Sequence, residues 1–174
     1  MIIPRPTEDE YAPGQLAYIE RVPVDLDPLE MMKGQLETLP RLLKPISEAQ
    51  AFYRYGPGKW SIKEVVGHLS DTERILACRL LRIARADQTP LPGFDEDDYV
   101  RAANFDSRAL ASLTDEWCVV RRSTLALVTS LQGSAWGHRG IANARPSSAR
   151  ALAYVIAGHV AHHVDLLQTR YGIG

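Results

Sequence analysis

Cysteine is scarce in this sequence. Cys78 and Cys118 are the only two, and no C-x-x-C pair occurs, so a disulfide framework, a thiolate zinc knuckle and dithiol redox chemistry are all disfavoured. Each lies in an apolar helical stretch, and both are expected to be reduced core thiols. Long apolar runs are missing too: no uninterrupted stretch approaches the ~18 residues of a membrane span. The opening Met-Ile-Ile-Pro-Arg-Pro-Thr-Glu-Asp-Glu has neither the charged start nor the apolar run of a signal peptide. A cytoplasmic protein without a membrane partner is the expectation. Nor is there a charge excess. The formal net charge is −1, and Arg121–Arg122 is the one adjacent basic pair, which argues against nucleic acid as a partner. The sequence also lacks a P-loop, G-x-G-x-x-G, G-x-S-x-G, H-E-x-x-H and the paired E-x-x-H of di-iron bundles.

What is present fits one domain over residues 1–174, with 45% apolar and 24% charged residues. Residues 1–25 carry Pro4, Pro6, Pro13 and Pro23 and are expected to form an extended leader packed on the core. Asp27-Pro28-Leu29-Glu30 is a strong helix start, and Leu29, Met32, Leu36, Leu39 and Leu43 keep a helical period to about Lys44, with a bend expected at Pro40. Ser61-Ile62-Lys63-Glu64 is a capping box, with Trp60 and Val65 placed to staple it. That helix is expected to reach about Ala86. The Pro- and acid-rich segment Thr89–Asp98 reads as a connection, and Asp95–Asp98 as a solvated acidic loop. A third helix fits roughly Ser107 to Leu131. After a Gly-rich turn containing His138, Pro146-Ser147-Ser148 opens a fourth, ending at Gly172. No segment alternates strictly, so no sheet is expected. The fold class is all-α, a four-helix bundle.

His159-Val160-Ala161-His162-His163 carries the chemistry. At ~100° per residue, His159 and His163 fall inside the apolar sector defined by Val155, Ile156, Val160, Leu166 and Leu167, one turn apart. His162 lies toward the sector's edge. Two buried imidazoles side by side each leave a ring nitrogen needing a partner, and a shared metal ion satisfies both. A third ligand must come from another helix, leaving His68 or His138. His68 is the better candidate because it lies in a regular, well-capped helix, although it falls at the margin of that helix's apolar face. Glu73 falls near the middle of the same face, as a fourth ligand, an acceptor for a ligand ring, or the partner of an arginine. Asp71 reads as an exposed helix residue.

Gly58–Asp71, Leu91–Glu96 and Gly158–His163 resemble, respectively, the second helix, the Pro-rich connection and the fourth-helix H-x-x-H-H signature of DinB-like proteins, especially the YfiT-type metal-dependent hydrolases. The resemblance spans roughly Leu29 to Tyr171. It implies an antiparallel four-helix bundle in up-down-down-up order, usually a homodimer, with a metal on His68, His159 and His163. Three neutral imidazoles leave a divalent ion with an open position, and a bound water there has its pKa lowered toward ~7. Zinc or nickel suits such ligands best, with manganese or iron(II) also compatible. The expected function is hydrolysis of a small molecule through that water, with Glu73 or Asp71 orienting the water or a ligand ring. One alternative is a thiol-dependent transferase or isomerase on the same metal, using a low-molecular-weight thiol. The other is a non-catalytic, metal-stabilised binding or stress-response module.

Overall fold

Side-chain caps set where the long helices begin. In the computed structural model, which describes residues 2–174, a short α1 (Leu16–Ile19) precedes α2 (Pro28–Leu43). Asp27 accepts from the Leu29 amide and Pro28 takes the first helical position of α2. Helix α3 (Ile62–Ala84) opens with the full capping box: Ser61 accepts from the Glu64 amide, and Glu64 accepts from the Ser61 amide. Helix α4 (Glu96–Ala103) is capped by Asp95, and α5 (Leu110–Ser130) follows. Strands β1 (Arg139–Ala142) and β2 (Arg145–Ser148) form an antiparallel hairpin, and Ser148 then caps α6 (Ala149–Thr169).

Helices α2, α3, α5 and α6 form the bundle, with α5 and α6 each packed between α2 and α3. Two apolar layers give their directions. One joins Met32 at the start of α2, Leu80 and Ile83 at the end of α3, Val128 at the end of α5 and Leu152 at the start of α6. The other joins Leu39 and Leu43, Ile62 and Val65, Leu110 and Leu113, and Leu167. Thus α2 and α6 run one way and α3 and α5 the other, an up-down-down-up order. Of the adjacent pairs, α2/α5 and α3/α6 are antiparallel, while α3/α5 and α2/α6 are parallel. A parallel α3/α5 pair requires a chain that travels back along the bundle, and residues 85–109 do so.

Several expectations need correction. Asp95–Asp98 is no loop: Asp95 accepts from the Asp98 amide, and three acids in the first turn face the positive end of α4. Asn104, in the left-handed region at φ 49°, ends that helix. A small sheet exists, because Asn143 and Ala144 both take positive φ (52° and 57°) and make a two-residue hairpin turn. Pro146 and Ser147 therefore belong to β2, and only Ser148 starts the fourth long helix. Residues 16–19 of the leader are helical rather than extended. Cys118 is buried, but Cys78 is exposed, on the α3 face shared with exposed Arg74, Leu81 and Arg85.

A buried polar node ties the four long helices together. Arg121 on α5 is fully buried and donates twice to Glu73 on α3, at 2.7 and 2.8 Å. Its remaining donors reach Gln35 and the Met32 carbonyl on α2. Gln35 in turn donates to the Ala157 carbonyl on α6 at 2.8 Å. Removing one partner leaves the other charge buried and alone, which costs about 3–5 kcal/mol. Arg121→Met is expected to lose about that much in urea unfolding, and Glu73→Met/Arg121→Met to recover a large part of it. Additive losses in the double variant would show the two side chains to be independent.

Candidate metal centre

Three imidazoles meet in the middle of the bundle. His159 and His163 stand one turn apart on α6, and His68 faces them from α3; all three are buried. The Nε2 atoms of His68 and His159 are 3.1 Å apart, and those of His159 and His163 are 3.2 Å apart. A neutral imidazole nitrogen carries either one proton or one lone pair. The His159 nitrogen therefore cannot satisfy both neighbours by hydrogen bonding. A cation shared by the three lone pairs can. Metal–nitrogen bonds of ~2.0–2.1 Å place two ligand nitrogens about 2.9–3.4 Å apart for angles between octahedral and tetrahedral. The observed spacings fall within that interval, so the residues present fit a small divalent ion.

The surroundings keep the rings neutral. Burial pushes the His68 imidazole down to about 4, helped by the neighbouring His162. Burial also holds His159 and His163 well below the usual histidine range, and the adjacent rings add to the effect. Thr72, one turn along α3, places its hydroxyl beside the His68 ring, 3.3 Å from Nδ1 and 3.5 Å from Nε2. Among the described residues His163 Nδ1 has no partner; its ring is held by packing against His68 and His162.

Two glycines let walls close around the cluster. A Cβ on Gly67 would lie 2.4 Å from the Phe105 ring, and one on Gly158 would lie 1.8 Å from the Tyr18 carbonyl oxygen. Each glycine immediately precedes a cluster histidine. The close approach at Gly158 seats α1 on α6 and brings the Tyr18 ring edge-on to His159, with centroids 5.3 Å apart. Trp60 covers His68 with centroids 4.6 Å apart, and its indole N–H donates to Asp97 on α4 at 3.0 Å. Trp60, expected from its position to staple the helix start, here roofs the site.

Above the rings lies a cavity of about 320 Å³, lined by the three histidines, His162, Tyr18, Trp60, Thr72, Phe94 and Glu96 among others. Glu96 is exposed at its rim, so the floor is reachable from solvent. Burial and the nearby Glu96 charge hold the Tyr18 phenol above its usual range.

The other sequence candidates lie apart from the ring nitrogens. Glu73 is engaged by Arg121, which selects the third of its three roles. Asp71 is half-buried and pairs with Arg74 at 3.3 Å. Neither carboxylate hydrogen-bonds a cluster ring among the described residues. His138 Nδ1 pairs with the Ala84 carbonyl at 2.9 Å, away from the cluster. Thr72 was detectable in the sequence as the residue four after His68. Tyr18 and Glu96 carry no such signal, because only the folded chain brings their segments here.

A family model for the DinB superfamily matches residues 31–167. The chain belongs to the DinB superfamily. No curated protein matches it by sequence. Among solved structures it is similar to YfiT from Bacillus subtilis, described as a probable metal-dependent hydrolase with an unusual four-helix bundle topology. That likeness has a TM-score of 0.72 at 16% identity and covers 98% of this chain and 95% of that one. It is also similar to the mycothiol-dependent maleylpyruvate isomerase, with a TM-score of 0.66 at 16% identity, over 85% of this chain and 62% of that one. At such identities the likeness establishes the shared fold.

Two outcomes follow from this geometry. Gly158→Ala forces Tyr18 off α6, so faster amide exchange across Leu16–Ile19 is expected, with a stability loss of about 1–3 kcal/mol. Unchanged exchange there would mean that α1 accommodates the methyl group. The second outcome concerns acid. Below ~6.5 the unfolded chain binds protons on these histidines while the folded chain does not, so stability rises with pH in this window. The metal-free protein is expected to lose on the order of 3 kcal/mol through His68 alone between pH 7 and pH 4. Urea titrations in chelator, with His68→Gln showing a shallower pH dependence, measure it.

Proposed function

We propose that this DinB-superfamily protein is a metal-dependent hydrolase of a small molecule, with His68, His159 and His163 as the metal ligands. The observation that carries the reading is the convergence of three neutral Nε2 atoms at the floor of a solvent-reachable cleft. A structural site closes its fourth position with protein, whereas here the space above the rings is open. When bound, a divalent ion supplies a Lewis acid and draws the pKa of water toward neutrality. Zinc or nickel suits three nitrogen ligands best.

The chain's own residues supply the rest. The Thr72 hydroxyl stands beside the His68 ring, and Trp60 and Tyr18 pack on the rings and narrow the cleft. The Tyr18 hydroxyl is a donor toward a polar substrate group. Glu73 is tied into the bundle and Asp71 to Arg74, so neither is assigned a catalytic role. The homodimer implied by the resemblance and a cytoplasmic location belong to the same proposal.

A second reading replaces water with an external thiol, as the name of the isomerase neighbour suggests for that protein. Such a thiol would come from outside, because Cys78 is exposed on the solvent face of α3 and Cys118 is buried on α5. The open cleft weighs against a purely structural metal.

Metal analysis of the purified protein tests the ligand set. His68→Ala, His159→Ala and His163→Ala are each expected to lose the metal, and His162→Ala to keep it. Hydrolysis of small esters, amides or phosphoesters is expected to disappear with the metal. Turnover strictly dependent on added thiol would favour the second reading, and full metal retention in His68→Ala would overturn the site.

A further inference from the structure

The acidic run at the start of α4 has one unengaged member. Asp95 caps the helix, Asp97 accepts from Trp60, and Asp98 pairs with Arg101. Glu96 has no hydrogen bond or ion pair among the described residues, and it is the acid that lines the cavity over the histidines. Of the residues that line the cavity, Glu96 is the one Asp, Glu, Lys or Arg. Nearby cations are engaged elsewhere. Arg79 donates to the Pro92 carbonyl at 2.6 Å and lies over Phe94, while Arg21 pairs with Asp165 at 3.2 Å; neither lines the cavity.

The remaining walls are aromatic. Tyr18, Trp60 and Phe94 present rings to the same space as Glu96. A carboxylate beside aromatic faces attracts a cation twice, by charge and through the ring quadrupoles. At the rim an anionic group meets the Glu96 charge, and no Lys or Arg lines the cavity; the nearby cation Arg21 is paired with Asp165. The backbone of Glu96 is held in place: it is the first residue of α4, which the Trp60–Asp97 bond and buried Val100 hold against the bundle.

We infer that the cavity selects a substrate with a cationic head, a protonated amine or quaternary ammonium, held at the rim by Glu96 and the aromatic walls. The inference rests on the hydrolase reading for the word substrate, with the electron-rich reacting group directed to the imidazole floor. Glu96 is then a specificity residue.

Choline and its neutral isostere 3,3-dimethylbutanol separate charge from shape. Their binding is followed through the Trp60 indole N–H signal of the full chain, both with metal bound and after chelation. Choline is expected to bind about tenfold more tightly than the isostere in both states. Glu96→Gln is expected to erase most of that preference without changing metal content, and Glu96→Lys to reverse it. Equal binding of the two probes, or a preference that survives in Glu96→Gln, overturns the inference.

The corresponding acetate esters provide the turnover arm. Glu96→Gln is expected to raise KM for acetylcholine about tenfold, leaving its kcat and the KM of the neutral ester unchanged. An equal fall in kcat for both esters would instead place Glu96 in the chemistry and overturn its specificity role. If neither ester is hydrolysed while the binding preference holds, the ester form of the hydrolase reading falls and the cation site stands.

Discussion

A buried guanidinium sets the register on which the site depends. Arg121 reaches Glu73 on α3 directly and Ala157 on α6 through Gln35, so a single node connects the two helices that carry the histidines. Glu73 lies five residues after His68, and Ala157 two before His159. A one-residue slip of either helix turns its side chains by about 100° and carries an imidazole out of the cluster. An apolar pair of similar volume often stabilises a fold as well or better. What such a pair lacks is direction. The bidentate geometry admits one rotation of α3 against α5, and the site inherits that rotation.

The same economy of space appears in the glycines. Gly67 and Gly158 each stand next to a cluster histidine, and each accepts an element that a methyl group would expel. The consequence at Gly158 is chemical as well as steric, because it is the α1 backbone that lands there and carries Tyr18 with it. At Gly67 the Phe105 ring fills the position, fixing the segment just after α4. The two contacts therefore locate both non-bundle pieces, α1 and α4, whose side chains line the cleft. Side chains missing from the helices make room for side chains delivered by the connections.

Much of this was legible in the residues, and the parts that were not share a cause. Asp27, Ser61 and Ser148 mark helix starts by local chemistry, and the four long helices follow from them. His159 and His163 fall on the apolar stripe of α6 by periodicity alone, and the folded chain brings them together. His68 was ambiguous on its own helix wheel, because a margin residue faces inward only when two neighbours flank its helix, as α5 and α6 flank α3. Helix α4 was hidden by its composition. Acids that read as a solvated loop also suit the first turn of a helix, and the Asp95 cap was the deciding signal. The hairpin lacks the usual Asn-Gly turn, since Ala144 takes the positive φ in place of glycine. Cys78 shows the limit of composition. An apolar neighbourhood in sequence does not say which face of α3 the residue occupies.

Charge gives the cleft its polarity. Three neutral imidazoles contribute no negative charge, so an ion they hold keeps its full double charge, unlike one bound by carboxylates. With such an ion the floor of the cleft would attract electron-rich groups, while the Glu96 charge at the rim would favour cations. These two fields act at different depths along the same opening. A ligand with one charge sign throughout satisfies only one of them. A molecule whose reacting oxygen and cationic head lie at opposite ends satisfies both, and its orientation is decided before any chemistry begins. The aromatic walls between floor and rim add no formal charge of their own, so the separation of the two fields rests on depth alone.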